Sequence, residues 1–355
     1  MIRYIISSVG NSLKLERHCP HCGKFGSNVH SSINYRAISD IKVSSIPQRR
    51  MKCPFCGTTW TNRADGISDG KQRSDRLIAI GVVLYMFGLS YRSIERFLVM
   101  LDCRGSRSSI ERDVAGAGGK ARELHFAAPV MHVRILGVDG TGAKMAGKRT
   151  GLLFFVDIER SRLICVEPVN ETDSVKVRRH VRKVMAAVGA EQLRTDESNV
   201  YDGIVSPEQH KICLAHWRKS KCRRAWQLYR QLNAEGMKFE AADMLRLVEL
   251  LKQEPRPPNL PEAIEKLVRR YINCRRDTLW KVNQLLQHIE RTWEDIGGEQ
   301  GDRTNNATER IIGLNYKIRA KTARGFKSWE KILCHCYLSE YIKGINGMCD
   351  LRKVV

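Results

Sequence analysis

Residues 133–140 read VRILGVDG, an apolar run that ends on an acid and a glycine. Six residues rich in Val, Ile and Leu before a turn dipeptide read as a strand leaving the core at Asp139. Leu152 to Ile158 (LLFFVDI) is a second strand after a glycine-rich connection, and Leu163 to Val169 (LICVEPV) is a third after the turn at 159–162. Short connections make the three an antiparallel meander. A helix follows, capped by Thr172 or Asp173: Val177, Val181, Val184, Met185 and Val188 fall at helical spacing and Gly189 ends it. Leu193 to Thr195 is then a short strand carrying Asp196 at its end, and Lys211 to Ala215 (KICLA) is another.

This order predicts an α/β fold class with a ribonuclease H-like catalytic core, three antiparallel strands extended by two parallel ones. Phosphodiester chemistry with two divalent ions needs hard oxygen ligands converging from separate elements. Asp139 and Asp196, each following apolar strand residues and preceding small or polar ones, suit that task. A third acid is expected from a late helix. Residues 304–310 (TNNATER) start one, with Ala307, Ile311, Leu314 and Ile318 as its core stripe and Glu309 roughly opposite. The bland alternatives are that the aspartates are turn residues and that Glu309 complements a helix dipole. Asp157, Glu197 and Asp202 compete for the acid roles.

Working toward the N-terminus, Cys19-Cys22 and Cys53-Cys56 form two C-x-x-C knuckles, each followed by a glycine, Gly23 and Gly57. Two knuckles close a tetrahedral Zn²⁺ site with no open position, so residues 1–68 read as a zinc ribbon. A thioredoxin-type redox motif is the alternative, but it lacks its βαβ context and does not explain two copies. Residues 69–128 read as a helix-turn-helix DNA-binding domain. Its third helix opens on a capping box at Ser108 to Glu111, which sets Arg107, Ser109 and Arg112 near a DNA groove, and Gly116, Gly118 and Gly119 are expected to cut it short. The core then runs over 129–220, an inserted all-α domain over 221–300, and the final core helix with a C-terminal tail over 301–355. The insertion has helical spacing, almost no strand signal, prolines at 255, 257, 258 and 261, and the cationic cluster Arg218, Lys219, Lys221, Arg223 and Arg224.

Lys and Arg number 61 against 38 Asp and Glu, a formal charge of +23, which points to a polyanionic partner. The longest apolar run, Leu77 to Phe87, has 11 residues, short of the ~20 that span a bilayer. With no secretory pattern at residue 1, a cytoplasmic, nucleoid-associated protein with no membrane partner is expected.

The VDGT around Asp139, RTDES around Asp196, the C-x-x-H of Cys213 and His216, and NNATER followed by the basic run KIRAKTARGFKS together resemble a DDE transposase of the bacterial and archaeal insertion-sequence type. The C-x-x-H is similar to the mutator-like branch. The resemblance spans Val133 to about Tyr341. It implies Asp139, Asp196 and Glu309 as a catalytic triad holding two Mg²⁺ (or Mn²⁺) ions, with Asp139 shared between them. It implies cleavage at the ends of a mobile element and joining of the released 3′-OH to target DNA. Partners are then double-stranded DNA, as terminal inverted repeats and as target, and further copies of the chain assembled on it. Cys213 and His216 are either metal ligands, with Cys222 the nearest third, or a hydrogen-bonded pair. Arg319, Lys321, Arg324 and Lys327 in the basic run are candidate DNA contacts. A non-catalytic DNA-binding regulator derived from a transposase, and a structure-specific nuclease of the same fold, are the alternatives.

Overall fold

In the computed structural model, the described residues are 3–10, 13, 17–26, 28–129, 131–253, 260–274, 277–292, 296, 305–323, 325–343 and 347–355. The chain opens with β1 (Arg3–Ile5), β2 (Asn28–Val29), β3 (Asn34–Ala37), β4 (Ser45–Lys52) and β5 (Thr59–Arg63). β4 is the middle of a small antiparallel sheet, with β2 and β3 in tandem along one edge and β5 along the other. Three helices follow: α1 (Asp75–Met86), α2 (Tyr91–Met100) and α3 (Arg107–Ala127). Each starts on a serine, Ser74, Ser90 or Ser106, whose hydroxyl accepts the N–H three residues on and so satisfies an orphan donor. The start of α3 is thus set by Ser106, two residues before the expected capping box.

Against expectation, α3 does not stop at its glycines and runs for 21 residues. The reason is packing. A Cβ on Gly118 would lie 2.6 Å from the Cβ of Cys334 and 2.9 Å from its carbonyl oxygen, so the bare backbone lets a late helix come close. Tertiary contact outweighs the ~1 kcal/mol that glycine costs in a helix interior.

The next stretch holds β6 (Ile135–Met145), β7 (Lys148–Asp157), β8 (Arg162–Glu167), α4 (Ser174–Val188), β9 (Gln192–Thr195) and β10 (His210–Ile212). The glycine-rich connection expected between the first two strands is instead a tight turn at Ala146 and Gly147, both at positive φ, so that β6 and β7 are longer than their apolar runs. The five strands form one sheet in the order β10-β9-β6-β7-β8. β9 runs parallel to both β6 and β10, and β7 antiparallel to β8. Val177, Val181, Val184, Met185 and Val188 of α4 pack with Leu136, Val138, Leu153 and Phe155 of the strands. Each side chain of this size buried from water contributes ~1.5–3 kcal/mol.

Helices α5 (Leu214–Ala234), α6 (Lys238–Lys252), α7 (Leu260–Tyr271) and α8 (Asp277–Thr292) share a second apolar core that includes Trp217, Met244, Leu267 and Leu286. α9 (Asn306–Ile312) then packs on β7, and a π-helical turn over 313–317 leads to α10 (Ile318–Thr322), α11 (Trp329–Ile342) and β11 (Met348–Asp350). Among the described residues, no helix is long and apolar enough to cross a membrane.

Two compact units result, one of Met1–Pro129, Met145–Gly147 and Leu314–Val355, the other of Val130–Lys144 and Lys148–Gly313. The chain from Leu314 onward, grouped with the core in the sequence-based division, therefore packs with the N-terminal helices: α11 lies along α3, and β11 pairs with β1. Residues 332–339 of α11 are all buried, which a one-sided helix facing a sheet does not require.

Candidate active site and metal centre

Parallel pairing of β6 with β9 sets Ile135 opposite Gln192, Leu136 opposite Leu193 and Gly137 opposite Arg194. Two residues further along the same register, Asp139 stands level with Asp196. Neighbouring strands lie ~4.8 Å apart, so both acids reach the same end of the sheet side by side. Both are half-buried, and Asp196 accepts the backbone N–H of Ser198 at 3.1 Å, a turn that keeps one carboxylate oxygen at the strand end.

Glu309 comes to this end through two polar residues with no accessible surface, Asn305 and Thr308. The Asn305 amide donates to the carbonyl of Val138 at 3.3 Å, its backbone N–H donates to the Cys213 sulfur at 3.0 Å, and its side-chain oxygen accepts the Thr308 hydroxyl. Gly137 makes room for them: a Cβ there would lie 2.6 Å from the Asn305 oxygen and closer still to that of Thr308. Glu309 follows in the first turn of α9, its side chain about half exposed at 49 %. Buried polar groups are costly unless satisfied, so this bonded set holds the first turn of α9 against β6.

Cys213 caps α5 rather than ending a strand as expected, because β10 stops at Ile212. His216, one turn later, lies 2.7 Å, Nε2 to Oε1, from Glu309, and its buried Nδ1 has no hydrogen-bond partner. The nearby Cys213 thiol is the main influence on the imidazole: burial opposes it, the charges of Cys213, Glu309 and Asp139 add to it, and the pKa is pushed up to about 9. Burial works against ionisation of the Cys213 thiol, but the His216 ring and the N–H groups of His216 and Asn305 outweigh it and hold the thiol below its usual range. The Cys213 sulfur accepts the Asn305 N–H instead, and among the described residues Cys213 and His216 belong to no group of three close metal-ligand atoms.

Sequence reasoning missed Glu171. Its Oε1 accepts the Tyr201 hydroxyl at 2.7 Å, and its carboxylate takes the backbone N–H of Gly140. A Cβ on Gly140 would sit 2.6 Å from the Glu171 carboxyl carbon, so glycine next to Asp139 leaves room for that carboxylate. Burial raises the pKa of Glu171, the Tyr201 bond opposes this, and the charge of Asp196 adds to it. The stretch 170–173 (NETD) reads as a turn before a cap; the glycine after Asp139 was the signal of a close neighbour.

The competing acids are otherwise engaged or open. Asp157 is buried and paired with Arg160 at 2.7 Å in the β7–β8 turn. Glu197 is bonded to Lys221 and, at 2.7 Å, to His288, which ties the segment after Asp196 to α5 and α8. Asp202 is exposed.

Arg107 and Arg112 are exposed on the first turns of α3, while Ser109 is half-buried and bonded to the Ser106 hydroxyl at 2.8 Å. Lys321 and Lys327 are exposed, and Arg324 lies outside the described residues. Arg319 departs from the expectation of a surface DNA contact. It is buried, donates to the carbonyls of Gly88 and Leu89 at 3.0 and 3.1 Å, and sits 4.1 Å from the centre of the Tyr85 ring. Its charge serves orphan carbonyls beyond the end of α1.

At the N-terminus Cys19, Cys22, Cys53 and Cys56 bring four sulfurs within 4.8 Å of one another, and among the described residues no other group of three or more Cys, His, Asp or Glu ligand atoms is as close. The Cys19–Cys56 and Cys22–Cys53 sulfur separations are both 3.6 Å, near the ~3.8 Å edge of a tetrahedron with 2.3 Å metal–sulfur bonds. The knuckles repeat each other: His21 N–H points at Cys19 Sγ and Phe55 N–H at Cys53 Sγ, both at 3.4 Å, and Gly23 and Gly57 turn back at φ of 70° and 75°. The donor set and spacing fit a structural metal such as zinc. The sequence matches no protein-family model and no curated protein.

Proposed function

We propose that the chain is a DNA transposase of the DDE type, resembling the mutator-like insertion-sequence enzymes, with a ribonuclease H-like core. The observation that carries this reading is the shared register of Asp139 and Asp196, with the first turn of α9, which carries Glu309, held against β6 by Asn305 and Thr308. Support also comes from the strand order, which runs 3-2-1-4-5 when β6 is counted first, and from four helices with their own core between β10 and α9, read here as the insertion.

Three carboxylates on three elements are the hard-oxygen set that Mg²⁺ or Mn²⁺ takes, and such ions supply an activated nucleophile and charge neutralisation at the phosphate. Asp139, Asp196 and Glu309 would hold the ions, Asp139 being the ligand that the resemblance implies is shared. His216 orients Glu309 through their 2.7 Å contact. Glu171 fixes the backbone beside Asp139 through the Gly140 N–H. The zinc ribbon and helix-turn-helix bind terminal inverted repeats, Arg107, Ser109 and Arg112 facing the groove and Lys321 and Lys327 facing phosphates, and the chain assembles with further copies on DNA in the cytoplasm at the nucleoid.

The test is purified full chain with Mg²⁺ and DNA from the flanks of its own gene. Strand cleavage and joining are expected, and Glu309→Gln, which keeps size but loses charge, should abolish both while leaving repeat binding intact. Binding without nicking marks a regulator, nicking without joining a nuclease. Wild-type cleavage by Glu309→Gln overturns the triad.

A further inference from the structure

Helix α5 contains six Lys or Arg residues and no Asp or Glu. Its buried side is Leu214, Trp217, Lys221, Ala225, Leu228 and Leu232, so the opposite side is fixed by the 100° step of the helix. On that step His216, Lys219, Arg223, Trp226, Gln227 and Arg230 fall within an arc of about 100°. Lys219, Arg223, Gln227 and Arg230 are exposed, and Trp226 keeps 46 % of its surface open. No carboxylate among the described residues pairs with Lys219, Arg223 or Arg230. On α7, by contrast, Arg269 is matched by Glu265 and Arg270 by Asp243.

Two features separate this stripe from an ordinary solvated helix face. It begins at the catalytic candidates, because His216, the partner of Glu309, is its first member and Lys219 is one turn on. It also mixes cations with an open indole, which a solvated face does not need; Trp226 leans on Tyr229 with ring centres 5.1 Å apart. A ligand that satisfies both offers phosphates and a bare base face at once. Duplex DNA covers its base faces by stacking, whereas an unpaired strand leaves them open.

Resting on the transposase reading, we infer that the α5 stripe is the track for an unpaired DNA strand leaving the cleavage site, with Lys219, Arg223 and Arg230 on its phosphates and Trp226 stacked on one base. The 11 steps from Lys219 to Arg230 rise ~16 Å, the length of roughly five nucleotides at the ~3.4 Å spacing of a stacked strand.

The experiment measures binding of the full chain, without divalent ions, to a flush duplex and to a forked duplex of the same sequence with five unpaired nucleotides carrying 2-aminopurine. Wild type should prefer the fork and quench the fluorophore. Trp226→Ala should weaken fork binding about tenfold and remove the quench, with flush-duplex binding unchanged. The triple change Lys219→Gln, Arg223→Gln and Arg230→Gln should lose the fork preference and flatten the salt dependence of fork binding by ~2 in logarithmic slope. A control with the same charge loss on exposed Lys238, Arg246 and Lys266 should keep both. If Trp226→Ala matches wild type on the fork, or the stripe triple is no weaker than the control triple, the inference fails while the transposase reading, judged by cleavage, stands. A wild-type chain that binds neither DNA overturns both.

Discussion

Asn305 reaches back 167 residues to donate its side-chain amide to the carbonyl of Val138, one residue before Asp139. Through this bond and the adjoining Thr308 hydroxyl, a late helix takes its position on an early strand, and Glu309 inherits that position. The dock is polar and buried, so its strength lies in being fully satisfied. An apolar contact could slide, whereas an amide aimed at one carbonyl sets a register.

Gly137→Ala puts a methyl into the Asn305–Thr308 pair, and Asn305→Ala leaves the Val138 carbonyl and the Thr308 hydroxyl without their partner. Each should cost ~1–3 kcal/mol in urea unfolding. Cleavage should fall by far more than stability does, because the ligand geometry tolerates little displacement. Cleavage that merely tracks the folded fraction would show that the dock does not set the site.

At the cysteine cluster, metal analysis should find a single zinc per chain, lost in Cys53→Ser and on prolonged chelation. The small sheet centred on β4 should then exchange its amide hydrogens faster, since the second knuckle is the connection between β4 and β5. The β6–β10 sheet should keep its protection. Zinc content unchanged in Cys53→Ser rules the centre out.

The glycines of α3 should separate cleanly by substitution. Gly116→Ala and Gly119→Ala meet nothing within 4 Å and should raise stability by ~0.5–1 kcal/mol through helix propensity. Gly118→Ala runs into the Cys334 backbone at 2.9 Å and should destabilise, with a lower melting temperature. Equal effects at all three would mean that α3 and α11 do not touch at Gly118.

His335 on α11 is buried with its Nδ1 unpartnered, and burial, with the charge of Arg319 adding, pushes its pKa down to about 3. The unfolded chain binds that proton near pH 6.5, so the contribution to stability is complete above pH 6.5 and is lost as pH falls toward 3. Between pH 6.5 and 5.5, above the usual carboxylate range, the loss should approach ~1 kcal/mol. His335→Phe, facing Tyr85 and Phe326, should remove this slope. Parallel pH profiles for the two proteins in urea would defeat the assignment.

Local chemistry made much of this legible in the chain itself. The two knuckles announce a tetrahedral sulfur site because each packs two ligands and a turn glycine into a few residues, at 19–23 and 53–57. The stripe of α4, from its Asp173 cap to Gly189, is read at 3.6-residue spacing, and the apolar runs before Asp139 and Asp196 mark strands whose ends carry acids. Tertiary structure alone decided the rest. Nothing local says that Gly118 is a helix contact, that Arg319 turns inward, or that α11 joins the N-terminal helices, since each depends on a partner more than 200 residues away in sequence. Glu171 and Asn305 were hidden for the same reason. A turn glutamate and a capping asparagine look ordinary until the sheet brings Gly140 and Val138 to them, because a buried polar bond is specified by the position of both partners and a sequence shows only one at a time.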